Sequence, residues 1–312
     1  MNIGLDMMGG DFSPLEAVKG IQLYLREAGP ATLWLIGDEG QIGPLLQEHR
    51  IPAASVRVVH ADQIIDMNEH PTRALKEKPQ SSIAIGFHLL ASGKMDAFIS
   101  AGNTGAMLVG ALYSLKPIEG IHRPTISTVI PKENGGTGVL LDVGLNADCK
   151  PENLNQFAIL GSLYASCILG IEEPRVGLLN IGEEEGKGNI LAQAAYPLLA
   201  ANPHIRFIGN IEGRDLPLDK ADVMVCEGFT GNIILKLAES LFDISLRHRI
   251  ESEYFDRFDF EYYGGTPLLG VTKPVIIGHG ISRERSFLNM LRLAQKMLET
   301  DLLGKMRESF LS

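Results

Sequence analysis

Val176-Gly177-Leu178-Leu179-Asn180-Ile181-Gly182-Glu183-Glu184-Glu185-Gly186-Lys187-Gly188-Asn189 decides how this chain is read. An apolar run of strand character empties into a polar, glycine-rich loop, and an alanine- and leucine-rich helical stretch from Ile190 to Leu199 follows. In an open α/β sheet such a junction lies at the carboxyl end of a strand, where ligands bind. Glycines at 182, 186 and 188 let the backbone turn tightly and approach a ligand closely. Lys187 sets a single cation at the mouth of the next helix, where an anion would also meet the N–H groups of the helix start. The loop therefore reads as a site for phosphate or a developing oxyanion, with a solvated loop and surface lysine as the alternative. It is not a nucleotide P-loop. The spacing from Gly182 to Gly186-Lys187 is one residue short, Gly188 takes the place of the metal-binding hydroxyl, and three glutamates would repel a triphosphate.

The same grammar of short apolar strand, polar loop and helix extends in both directions. It predicts an α/β fold with a mostly parallel sheet flanked by helices. Strands are expected at Ile3–Asp6, Leu33–Ile36, Val56–His60, Asp96–Ser100, Val139–Asp142, Arg206–Ile208, Asp222–Cys226 and Pro274–Ile277. Ser13-Pro14-Leu15-Glu16 reads as a capping box with proline at the first helical position. Ser81 or Ser82 is expected to cap the next apolar helix, and apolar residues at 287, 290, 291, 294, 297 and 298 make the last one amphipathic. No low-complexity linker interrupts the chain, which is read as one α/β catalytic unit over residues 1–312 or as two closely joined lobes.

Several strand ends carry polar residues. Gly102, Asn103, Thr104 and Gly105 bring backbone donors, an amide and a hydroxyl together, unless they only cap the next helix. Asp142, Asn146 and Asp148 follow a buried strand and would hold a cation or orient a basic group, with helix capping by Asp148 as the alternative. Thr230, Gly231 and Asn232 repeat the theme after Cys226, and His279 is the one histidine in a plausible loop site. The helix from Ile233 to about Arg249 is apolar almost all round, which favours a subunit interface over lipid contact.

Composition excludes several classes. Hydrophobic residues make up 45% and charged residues 21% of 312, as in a globular protein with a substantial core. A net charge of −10 opposes nucleic-acid binding, which needs clustered lysine and arginine. No apolar segment approaches the ~20 residues of a membrane span, and the N-terminus lacks the pattern of a signal peptide. Three cysteines without ligand spacing and eight scattered histidines predict reduced thiols, a cytoplasmic setting and no metal.

Taken together, the strand-end segments resemble the bacterial phosphate acyltransferase family (acyl-acyl carrier protein:phosphate transacylase). The stretches that carry the resemblance are Leu5-Asp6-Met7-Met8-Gly9-Gly10-Asp11, Ser100 to Gly105, Leu141 to Gly144 with Asp148 to Glu152, and Asn180 with Glu184 to Asn189. Gly209 to Asp215, Gly228 to Asn232, Tyr263-Gly264-Gly265 and Gly278-His279-Gly280 complete the series in the family's order. The resemblance implies a fold similar to isocitrate/isopropylmalate dehydrogenases and phosphotransacetylases, usually as a homodimer. It also implies transfer of a long-chain fatty acyl group from acyl carrier protein to inorganic phosphate, without cofactor. The acyl phosphate would feed a membrane glycerol-3-phosphate acyltransferase in phospholipid synthesis, which places the protein in the cytoplasm or at the inner face of the membrane. Met7 and Leu145 stand where the family usually has alanine. The segment 233–262, read as a helical dimer or membrane-proximal element, is shorter than in relatives with a long membrane-contacting hairpin.

On this reading Lys187 meets the phosphate or the oxyanion, Asn103, Thr104 and Asn232 supply fixed hydrogen bonds, and His279 protonates the departing thiolate. Asp142, Asn146, Asp148 and Asn180 hold the geometry, while Gly102, Gly105, Gly186, Gly188, Thr230 and Gly231 form the substrate loops. An acidic carrier protein would need a local basic patch, either Arg73, Lys76 and Lys78 or Arg247, His248 and Arg249. Two rivals are a metal- and NAD-dependent decarboxylating dehydrogenase, which lacks its glycine fingerprint here, and a non-catalytic scaffold, which needs no converging amides.

Overall fold

The computed structural model describes residues 1–311. In chain order its first elements are β1 (Asn2–Asp6), α1 (Leu15–Arg26), β2 (Thr32–Gly37), α2 (Glu39–Glu48), β3 (Val56–His60), α3 (Pro71–Glu77), α4 (Ser82–Ala91), β4 (Ala97–Ser100) and α5 (Thr104–Ser114). There follow β5 (Thr125–Pro131), β6 (Thr137–Leu141), α6 (Pro151–Tyr164), β7 (Arg175–Asn180), α7 (Ile190–Ala200), β8 (Arg206–Glu212), β9 (Val223–Val225), α8 (Gly228–His248) and α9 (Glu253–Asp256). The chain ends with β10 (Gly265–Leu269), β11 (Val275–Gly278), α10 (Glu284–Glu299) and α11 (Leu302–Leu311).

These elements form two compact units. The first comprises Met1–Lys116 and Phe260–Glu299, and the second comprises Pro117–Asp259 with α11. In the first, the strand order is β3-β2-β1-β4-β11-β10, parallel except for the β10–β11 pair. Strands β4 and β11 are buried along their whole length, as parallel strands covered on both faces must be. The chain builds outward through β2 and β3, then returns to lay β4 on the other side of β1. In the second unit the order is β5-β6-β9-β7-β8, with only β5–β6 antiparallel. Here β8 lies outside β7, and β9 comes back to fill the place between β7 and β6. Such reversals leave a crevice at the carboxyl ends of the strands, where ligands of α/β proteins bind.

Local chemistry explains most boundaries. Asp38, Ser81, Asn103 and Asn189 each accept a hydrogen bond from a first-turn N–H and so fix the starts of α2, α4, α5 and α7. Four expectations change. Ser13 does not cap α1, because its hydroxyl donates to the Gly9 carbonyl and Pro14 takes the cap position. Gly209–Glu212 is strand rather than loop: a register shift between Val176 and Leu178 lets β8 run on to Glu212. Asp148 caps nothing; α6 starts at Pro151, and the Lys150 N–H donates to Asn153 Oδ1 at 2.8 Å. Finally, α8 begins at Gly228, five residues before the apolar run, so the loop residues Thr230, Gly231 and Asn232 lie on its first turns.

The second unit carries a buried ion cluster at the end of its sheet opposite the polar loops. Lys132, 2% exposed, donates to Asp222 at 2.6 Å and Asp219 at 3.0 Å, and Arg175 Nε donates to the other Asp222 oxygen at 2.8 Å. Burial alone would raise the Asp222 pKa, but the hydrogen bonds from Arg175 and Lys132 outweigh it and hold the carboxyl well below the usual range.

Candidate functional site

In the first unit, the loops after β1, β4 and β11 meet. Asp6 at the end of β1 is fully buried and accepts from the Met8 N–H at 3.0 Å and from Ser100 Oγ at 2.6 Å. Burial raises its pKa, partly offset by these bonds and by others from Ser82 and Gly9. Ser100 Oγ in turn accepts from the Gly102 N–H at 2.9 Å. Sequence reading left Asp6 out of the site; a carboxylate at the tip of a buried strand was the available signal.

Asn103 is spent on architecture. Its Nδ2 contacts the carbonyls of Asp66, Met67 and Glu69 at 2.9–3.1 Å, and its Oδ1 accepts from the Ala106 N–H. That leaves it a loop-holding role rather than a free donor. Thr104 is exposed at the first position of α5, and Gly105 faces Pro71. His279 lies exposed beside the Phe260 ring, 4.9 Å between centroids, in a loop whose Gly280 carbonyl accepts from the Asp11 N–H.

In the second unit, Asp142 ends β6 with no exposure and both oxygens occupied. Oδ1 accepts from the N–H groups of Gly144 and Leu145 at 3.1 Å, and Oδ2 accepts from the Asn146 N–H and Nδ2 at 2.7 Å. Asn146 Nδ2 also reaches the Pro124 carbonyl at 2.8 Å. With four donors on one carboxylate, Asp142 shapes its loop and has no lone pair left over for a cation. No group of three or more potential metal ligands occurs among the described residues. Asp148 is exposed, and only its carbonyl is engaged, by Arg123.

The start of α8 is pressed onto this loop. A Cβ on Gly231 would lie 1.8 Å from the Asp142 carbonyl oxygen, closer than any side chain allows. One on Gly144, whose φ is +138°, would meet Asn232 Nδ2 at 3.0 Å. That nitrogen donates to the Val143 carbonyl at 3.2 Å, while the rest of the Asn232 side chain is exposed. Thr230 is turned back onto the cap residue of α8: its N–H and hydroxyl both donate to the Glu227 carboxylate.

The loop after β7 is held by three amides. Asn180 Nδ2 donates to the Lys187 carbonyl at 3.0 Å, Gln193 Nε2 donates to the Gly186 and Gly188 carbonyls, and Asn210 Nδ2 donates to Glu184 at 2.8 Å. Only Asn180 was anticipated. With those carbonyls fixed, the first-turn N–H groups of α7 at Ile190 and Leu191 remain the donors a helix cannot satisfy internally. The Lys187 ammonium stands 3.8 Å from Glu184 on a side chain that is half exposed. Lys220, 2.6 Å from Glu183, neutralises another of the three glutamates that would oppose an anion.

Over the carboxyl ends of β7 and β9, at the strand reversal of this unit, lies a cavity of about 430 Å³. Its wall includes Leu154, Leu178, Leu191 and Ala192, with Asn180, Gly188 and Thr230 toward the loops.

The architecture is that of phosphotransacetylases. The chain matches the crystal structure of a phosphotransacetylase from Streptococcus pyogenes with a TM-score of 0.68 and 20% identity, covering 96% of this chain and 94% of that one. A 4-hydroxythreonine-4-phosphate dehydrogenase from Burkholderia phymatum matches with a TM-score of 0.52 and 16% identity, over 95% and 98% of the two chains. Sequence relatives are much nearer. The phosphate acyltransferases of Dictyoglomus turgidum and Desulfitobacterium hafniense are each 43% identical over 99% of this chain and 97% of their own length. Residues 1–305 match the family described as fatty acid synthesis protein. The chain belongs to this family, the phosphate acyltransferases, and is an enzyme of the acyltransferase class.

Proposed function

We propose that this enzyme transfers a long-chain fatty acyl group from acyl carrier protein to inorganic phosphate. The observation that carries the reading is Lys187, a half-exposed cation just before α7 in a loop whose carbonyls are fixed, within a chain whose relatives, matched over 97% of their length, are phosphate acyltransferases. A phosphate oxygen attacks the thioester carbonyl carbon, the carbonyl π pair moves onto oxygen, and collapse of that oxyanion expels the pantetheine thiolate, which takes up a proton. Phosphate is partly dianionic near neutral pH, so it needs orientation and partial neutralisation more than a strong base. Lys187 and the α7 N–H groups serve that purpose. Asn232 supports the oxyanion, while Thr104 and His279 of the first unit are offered as hydroxyl and proton donor on residue type alone. Asn103, Asp142, Asn146, Asn180 and Thr230 act through the loops they hold. The likeness to a dehydrogenase at the level of fold supports a kinship with isocitrate/isopropylmalate dehydrogenases without requiring their chemistry.

Of the two basic groups, the end of α8 is favoured for carrier-protein docking. Arg73 is paired with Glu77 and Lys78 with Glu69, whereas Arg247 and His248 sit in the last turn of α8, beside Arg249. The same helix exposes Phe229 (64%), Ile233 (54%) and Leu237 (63%) four residues apart, a stripe that suits a homodimer interface. No helix among the described residues is long and apolar enough to cross a membrane. A supply of acyl phosphate to a membrane glycerol-3-phosphate acyltransferase would then rest on peripheral contact.

The test is thiol release from a long-chain acyl-carrier protein with and without phosphate. Release that requires phosphate and yields acyl phosphate is expected; release indifferent to phosphate, or none, rejects the reading. Charge reversal at Arg247 and Arg249 should raise KM for the carrier protein and flatten its salt dependence, and Leu237→Glu should shift the mass measured by light scattering toward monomer.

A further inference from the structure

The cavity over the carboxyl ends of β7 and β9 differs in chemical character from the polar loop beside it. Its wall is mostly aliphatic: Leu154 from α6, Leu178 and Leu179 from β7, Leu191 and Ala192 from α7. Most polar groups around it are already engaged, including the Glu227 carboxylate that also lines it and accepts from Thr230. Asn189 Oδ1 accepts from the Ala192 N–H, Asn180 bonds to the Lys187 carbonyl and the Ile181 N–H, and Thr230 is bonded to Glu227. The Cys226 thiol donates weakly to the Asp142 carbonyl at 3.6 Å and, being buried, stays protonated. A polar ligand would therefore find few free donors or acceptors here, while the aliphatic side chains offer an alkyl chain most of the wall. Asn180, Gly188 and Asn189 belong both to this wall and to the loop that carries Lys187, so the cavity is continuous with the proposed phosphate site. Ile181, which also lines the cavity, is 81% exposed and gives its solvent edge an apolar side chain.

We infer that this cavity receives the distal part of the substrate's acyl chain and sets its preferred length. The inference rests on the proposed acyl transfer and adds where the chain goes. A volume of about 430 Å³ lies within the range of ligand pockets, ~300–1,000 Å³. Each methylene transferred from water into such a wall improves binding roughly fourfold. Preference should therefore rise steeply with chain length and level off once the cavity is full.

The experiment compares wild type with Ala192→Leu and Leu191→Trp, both of which project bulk into the cavity. Ala192 is 8% exposed and Leu191 is half-buried on the outer turn of α7, so Leu191→Trp keeps the test alive if the first variant fails to fold. One arm measures phosphate-dependent thiol release from butanoyl, octanoyl, dodecanoyl and hexadecanoyl thioesters. The ratio of kcat/KM for hexadecanoyl over butanoyl should fall at least ~10-fold in each folded variant, the effect of two or more displaced methylenes. The other arm measures calorimetric binding of dodecyl phosphate, below its micellar concentration, against butyl phosphate, and needs no turnover. Weaker dodecyl phosphate binding in the variants supports the pocket even if no thioester is cleaved, a result that would reject the transfer reaction alone. Unchanged length profiles and unchanged dodecyl phosphate affinity in both variants would overturn the assignment.

Discussion

Asp142→Asn is nearly isosteric, yet it should damage the second unit severely. The carboxylate accepts four N–H hydrogen bonds, two on each oxygen. An asparagine can keep its carbonyl toward Gly144 and Leu145, which turns an NH2 group onto the Asn146 backbone N–H and the Asn146 amide. Two charge-assisted bonds are lost, each worth ~1.5–3 kcal/mol, and donors then face donors. Flipping the Asn146 amide relieves one conflict only by giving up its bond to the Pro124 carbonyl, and the backbone N–H cannot flip at all. The cost is therefore ~3–6 kcal/mol. At ~2–4 °C per kcal/mol for a unit of this size, the melting temperature of the second unit should fall by roughly 6–24 °C.

The functional consequence follows from the same contacts. The Asn146 carbonyl accepts from the Gly228 N–H at 2.7 Å, and Gly228 starts the helix that carries Asn232. Loosening residues 143–146 should move Asn232 and lower turnover even in the fraction that stays folded. Calorimetric unfolding with steady-state thiol release would read both effects. A melting temperature within ~1 °C of wild type would show that the four bonds contribute little, and would refute the reasoning.

Other substitutions separate chemistry from scaffold. Lys187→Ala and Asn232→Ala should each lower phosphate-dependent turnover by ~10²–10³; for Lys187 the melting temperature should hold within ~1 °C, since its ion pair with Glu184 is exposed and worth at most ~1 kcal/mol. Gly231→Ala places a methyl group 1.8 Å from a backbone carbonyl, so α8 must shift, and overpacking of at least ~1–3 kcal/mol should appear as a lower melting temperature with lost activity. Lys132→Met leaves Asp222 with Arg175 as its remaining cation and should cost ~1.5–3 kcal/mol in chemical denaturation, with no effect on KM for phosphate. Asp222 is held below its ordinary pKa, so its contribution is present above pH ~4 and drains away as pH falls through the native value. Wild type should therefore lose melting temperature in that acid range more steeply than Asp222→Asn, and parallel curves would refute the linkage.

The grammar of the chain was legible because fully buried parallel strands and capped helices have strong local signals. Ala97–Ser100, buried throughout, falls within the expected strand Asp96–Ser100, and the apolar face of α10 falls where periodicity puts it. Antiparallel β5 and β10 were not legible. Thr125–Pro131 and Gly265–Leu269 contain prolines and alternate weakly, and only their partners β6 and β11 make them strands. At the polar loops, residue type pointed to the right segments but not to roles. Asn103 and Thr230 looked like donors awaiting a ligand; their bonds are instead satisfied by Asp66–Glu69 and by Glu227, groups 34 or more and three residues away. Gln193 and Asn210, which hold the Lys187 loop, gave no sign in the sequence, because an amide in a helix or strand is ambiguous until its partner is placed.

The contrast between the frame of the Lys187 loop and the ion pair that holds the ammonium argues for how the proposed site works. Four neutral hydrogen bonds from Asn180, Gln193 and Asn210 fix the loop carbonyls, together ~2–6 kcal/mol at ordinary net values. The ammonium itself is restrained by one exposed contact at 3.8 Å, worth ~0–1 kcal/mol. On the proposed function, a dianionic phosphate at the start of α7 takes that lysine from Glu184 at almost no cost, because the hydrogen-bonded frame that presents it is already in place. Had the ammonium been buried in a tight pair like Lys132, any phosphate would first have to break an interaction of several kcal/mol. A firm frame with a loosely tethered cation is what a substrate that must bind, react and leave as acyl phosphate requires.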